Sequence, residues 1–173
     1  MRSILVGGLV GAALLSGCSA STETTTLLWY RAPCSGPFLH LCPFERTPDG
    51  QTHIVYDQVS DYQLTWGVEA DVEYRIDRAD PDVADAVDHW IVVNVVATRA
   101  VAVGETARWG LSARDDYFTA VGDHVEAFGT AVACEPAMCT QLTTVDPTAN
   151  RSLTIEYTGD PAIPLRALAI TAL

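Results

Sequence analysis

Apolar residues in this chain favour every second position and nowhere keep a helical period for long. Val72, Tyr74 and Ile76 alternate with Glu73, Arg75 and Asp77, the pattern of a strand with one face buried. Residues 27–30, 53–56, 125–133, 153–157 and 165–171 read as further strands. They are set apart by the turn residues Pro48-Asp49-Gly50, Gly122-Asp123, Asp146-Pro147 and Gly159-Asp160-Pro161. Residues 90–98 are β-branched and almost wholly apolar, which predicts a central strand covered on both faces. Helix is expected only as short pieces at 81–87, with Asp80 as cap, and at 136–144. Each of these has a proline at its first position. A helical bundle is excluded. The expected fold class is mainly β, either all-β or α+β with short helices.

The N-terminus carries an address. Arg2 is followed by an apolar run from Ile4 to Leu15, and Leu15-Ser16-Gly17-Cys18 closes it. That ending resembles the lipobox of bacterial lipoproteins. The resemblance implies cleavage of residues 1–17 and acylation of Cys18. The apolar run is too short for a membrane-spanning helix, which needs about 20 residues. Each buried methylene contributes roughly 0.8 kcal/mol, and stable anchoring takes at least two chains, which a lipidated Cys18 supplies. Residues 19–26 hold no large apolar side chain and are expected to form a solvated tether with residue 18. Ser19 stands where inner-membrane lipoproteins of many Gram-negative bacteria carry Asp, so outer-membrane sorting is expected in such a host.

With Cys18 assigned to lipid, Cys34, Cys42, Cys134 and Cys139 remain, an even number for an oxidising compartment. Three pairings are possible. Cys34 with Cys42 and Cys134 with Cys139 is favoured, because each pair is close in sequence and Ser35-Gly36-Pro37 makes a turn inside the first. A four-thiolate zinc site is the rival reading. The wide spacing of the first pair and the export signal count against it.

The formal charge is −12, and one unit more negative without Arg2. Such a body offers no footprint for nucleic acid and is repelled by anionic headgroups, so membrane contact is expected through lipid on Cys18 alone. There is no lysine, which excludes Schiff-base and P-loop lysine chemistry. The remaining length suits one domain or two small halves, 27–100 and 101–173, meeting near residues 99–105. A small disulfide-stapled β-sheet or β-barrel-like body, in one piece or two such halves, is the expected architecture.

Cys34 and Cys42 flank a Gly-Pro turn. Glu45-Arg46, Pro48-Asp49-Gly50, Tyr56-Asp57, Val59, Tyr62, Gly67, the strand through Tyr74, Asp85 and the strand from Trp90 to Arg99 follow. In that order these residues resemble domain of unknown function 4377, which occurs in bacterial lipoproteins and sometimes accompanies the META (heat-shock HslJ-like) domain. Asp61, where the family favours glycine, and Trp66-Gly67-Val68 depart from its pattern. The resemblance covers residues 27–99 and implies an address, not a reaction.

Asp77, Asp80, Asp82, Asp85 and Asp88 cluster as calcium-seeking oxygens would, yet no frame supplies the turn glycine and terminal glutamate of an EF-hand loop. His40, His53, His89 and His124 form no helical pair, no nucleophile elbow is present, and Ser112 lacks a lysine three residues on. Trp66 and Trp109 are candidates for an exposed binding surface. The expected function is therefore a membrane-anchored, exported lipoprotein with a non-enzymatic binding or structural role toward an envelope protein or small ligand. No catalytic residue, metal or cofactor is assigned. The alternatives are a small-molecule or calcium module on the aspartate loop, and a small hydrolase.

Overall fold

The computed structural model describes residues 22–34, 39–80, 82, 88–113, 115–144 and 148–173. The signal at 1–17, Cys18, the turn Ser35-Gly36-Pro37, the expected helix at 81–87 and Asp146-Pro147 therefore lie outside the described residues, save Asp82 alone.

The fold is mainly β and falls into two six-stranded sheets. The first is built from β1 (Glu23–Cys34), β2 (His40–Arg46), β3 (Thr52–Ile54), β4 (Gln58–Ser60), β5 (Val68–Asp77) and β6 (His89–Ala100). Its strand order is β3-β2-β1-β5-β6-β4. The second holds β7 (Thr106–Leu111), β8 (Thr119–Val121), β9 (His124–Ala127), β10 (Thr130–Ala133), β11 (Arg151–Tyr157) and β12 (Leu165–Ala172). Its order is β7-β11-β12-β10-β9-β8. The helix α1 (Pro136–Thr143) sits between β10 and β11 in the chain. Pairing is antiparallel except for β4 with β6 and β10 with β12.

The alternation in β5 does what its pattern demands. Ala70, Val72 and Tyr74 are buried, while Asp71, Arg75 and Asp77 face solvent. Leu27, Ala70, Val72 and Val92 pack as one cluster of the first sheet. Tyr74 stacks on Trp90 at 4.1 Å between ring centroids, and Val55 packs with them. Both aromatics satisfy their polar ends, Tyr74 Oη donating to Glu23 and Trp90 Nε1 to Asp57. Burial, and then the bond to Glu23, push the Tyr74 hydroxyl well above its ordinary pKa.

Two expectations need correction. Residues 23–26 are strand rather than tether: they pair with β5, and Thr25 is buried with its hydroxyl donating to Glu45. Threonine is polar but β-branched, so once Glu45 and Asp71 accept from Thr25 and Thr26 a strand suits these residues better than solvent. The apolar strand at 90–98 is also not covered on both faces. Short β4 pairs β6 only over His89–Ile91, and residues 93–100 are exposed.

The two disulfides pair Cys34 with Cys42 and Cys134 with Cys139, at Cα separations of 5.8 and 5.4 Å. The first staples the far end of the β1–β2 hairpin, and the second ties α1 to the end of β10.

The sheets meet in the largest apolar cluster among the described residues. Register slips in β1 between Leu27 and Arg31, and there the Trp29 side chain packs toward the second half. With Ala32 it joins Trp109, Leu111, Val125, Val132, Leu153, Ile155 and Leu165 of the second half. Gly67 seals the junction. Its N–H donates to Trp29 O at 3.2 Å, its carbonyl accepts from Val101 N at 2.8 Å, and its φ is +76°. A Cβ there would lie 2.0 Å from the Tyr157 ring. Left-handed strain and overpacking add, so Gly67→Ala is expected to cost about 2–4 kcal/mol in chemical denaturation. Adding Tyr157→Ala should recover the steric part; no recovery would place the cost in the backbone alone.

Candidate functional site

Of the sequence-designated site residues, the structure withdraws one outright. Trp109 has no exposed surface; it sits in β7 opposite Leu153 and packs against Phe118. A ring in the middle of the second core cannot anchor a partner. Trp66 is half-buried against the same core, and the Arg31 guanidinium covers its face at 5.0 Å from the ring centroid. Arg31 is held in place by a 2.7 Å bond to Leu64 O. The pair of tryptophans thus does not form a common surface.

The aspartate loop is also engaged elsewhere. Asp88 accepts from Ala79 N at 2.9 Å and pairs with Arg78. The backbone bond first, and then Arg78, hold its carboxyl below the usual range. Asp80 accepts from Asp82 N, and Asp85 lies outside the described residues. Among the described residues, the potential metal ligands that converge are Cys34, His40 and Cys42. Both sulfurs there are already bonded to each other, so no thiolate is available.

What the fold does present is the rim of the first sheet. Val93, Val95 and Val96 are 48%, 41% and 60% exposed, and Val103 beyond the strand is 68% exposed. No acidic residue lies between Asp88 and Glu105. The one fixed charge in that stretch, Arg99, is paired with Glu69, which Arg46 also contacts at 2.9 Å. A strand with exposed valines and no acid of its own therefore lies on an acidic body. Its sequence signal was the missing acid rather than the valines, which read equally well as core.

Beside β6, on the same sheet, lies an open trough of about 390 Å³ lined by Thr24, Thr26, Arg46, Thr47, Asp71 and Val96. Thr26 donates to Asp71 at 2.6 Å, and Asn94 on β6 donates to Glu73. These cross-strand bonds satisfy the polar groups among themselves. Glu69 is buried and neutralised from both sides, which fixes β6 laterally against β2 and β5.

Comparison with models of protein families, with curated proteins and with solved structures finds no match to this chain.

Removing both arginines is expected to leave the buried Glu69 carboxyl without its ion-pair partners. A fully buried pair broken this way costs about 3–5 kcal/mol; with both arginines well exposed, Arg46→Ala with Arg99→Ala should cost about 1–3 kcal/mol. Adding Glu69→Leu should restore most of it in the same denaturant titration. A triple variant no more stable than the double would show that the carboxylate was never the problem.

Proposed function

We propose that this chain is an exported lipoprotein, anchored through lipid on Cys18, whose β body is a non-enzymatic binding or structural module of the bacterial envelope. The exposed valines of β6, in a stretch free of acid, are the observation that carries the binding role, since exposed apolar side chains on an acidic protein favour contact with another macromolecule. Two disulfides suit a compartment outside the cytoplasm. The resemblance of residues 27–99 to a domain of bacterial lipoproteins agrees with that address, and those residues build the first sheet and its rim.

Because β1 begins at Glu23, the link from the lipidated cysteine shortens to residues 19–22. Fully extended, these reach about 13–14 Å. The body is then held close to its membrane, and binding through the β6 valines takes place at that surface.

Membrane fractionation tests the anchor. The wild-type chain should stay with membranes through high-salt washing, and its mature mass should show the acyl groups. Cys18→Ser should move to the soluble fraction. A serine variant that still sediments with membranes would contradict the lipid anchor.

A further inference from the structure

We propose that the Cys134–Cys139 disulfide is a thiol-exchange site, attacked at Cys139 Sγ by small dithiols from the trough beside α1, whereas Cys34–Cys42 is a closed structural bond. The site lies in the second half of the chain and does not depend on the binding role argued for β6.

Disulfides exchange when a thiolate attacks a sulfur it can reach, so access decides which of two bonds in one protein opens first. The two bonds differ in that respect. Cys34 and Cys42 are 5% and 1% exposed, Pro33 and Pro43 beside them are buried too, and His40 Nε2 stands 3.4 Å from Cys42 Sγ. Cys134 and Cys139 are only half-buried, and Glu135, Pro136 and Ala137 between them are exposed. Cys139 also lines an open trough of about 350 Å³, together with the polar residues Asp123, His124, Thr140 and Thr143. Such walls admit water and small polar thiols.

One thiolate of the dithiol attacks Cys139 Sγ. The new S–S bond forms as the bond to Cys134 breaks, and Cys134 leaves as a thiolate that takes a proton from water. The reagent's second thiolate then attacks its own sulfur in the mixed disulfide and expels Cys139. The dithiol ends as a disulfide, the cystine has gained two electrons, and the two protons given up by the dithiol are replaced on Cys134 and Cys139 through solvent. The fold tolerates this opening. Leu142 is buried, Met138 packs on the same core, and Arg151 donates to Gln141 O at 3.0 Å and to Thr144 O at 3.3 Å. These contacts hold the far end of α1 without the disulfide, so the opening is local and reversible.

The test exposes the mature lipidated chain, in mild detergent and without denaturant, to dithiothreitol. Samples are quenched with iodoacetamide and alkylation is read by peptide mass spectrometry. A neutral reagent avoids repulsion by a body of net charge −12 or beyond. Cys134 and Cys139 should be alkylated roughly tenfold faster or more than Cys34 and Cys42. All four cysteines reacting at one rate, Cys34 and Cys42 reacting first, or no alkylation of Cys134 and Cys139 in the folded chain would each overturn the assignment. With the monothiol β-mercaptoethanol, an early quench should find the adduct on Cys139 and alkylation on Cys134. An adduct on Cys134 alone would overturn the point of attack. Alkylation of Cys18 reports loss of the lipid anchor separately.

Discussion

Between Leu27 and Arg31, β1 takes two more residues than β2 uses between Glu45 and Pro43, and the surplus turns Trp29 out of one sheet and into the core of the other. A strand with unbroken register would bury its apolar residues on one sheet only. With the slip, residues 23–27 of β1 pair with β5, while Trp29 and Ala32 pack against β7 and β11 residues. Gly67 and Tyr157 meet beside Trp29, whose ring lies 5.9 Å from that of Tyr157 and whose carbonyl accepts from Gly67 N. The first disulfide then closes the hairpin at the end of this same strand.

Much of this architecture was legible in the chain. The alternation through Val72, Tyr74 and Ile76 fixed a half-buried strand because period two leaves no other placement for those side chains. Short spacing made the cysteine pairing readable, and Pro136 marked the start of α1. Three other features were not readable, each for a physical reason. Threonines at 24–26 are polar enough for a tether and β-branched enough for a strand, and the choice depended on Glu45 and Asp71 arriving from elsewhere. Residues 90–98 have the composition of a central strand, but β4 is too short to cover them. Trp109 reads as surface in the sequence because a lone tryptophan in a short strand carries no mark of the core that forms around it.

The rim of β6 joins the fold to the proposed role. Burial takes up most apolar residues of β1, β5 and β7, but the valines of β6 beyond Val92 remain outside. Glu69 keeps that strand in place by pairing with both Arg99 and Arg46, and the stretch beyond it carries no acid. On a body whose remaining surface is dominated by acid, such a stretch is where close contact costs least. In the proposed role, a short link to the membrane would hold it near other envelope components.

The central claim is that the slip in β1 makes two sheets into one cooperative unit, and hydrogen exchange on a Trp29→Ala variant tests it most directly. Protection of β5 amides in the first sheet and of β11 amides in the second should fall together, by a common free energy, as expected when both open only in global unfolding. Loss of protection in β11 with β5 unchanged would contradict it, and would show two sheets that fold side by side without depending on Trp29.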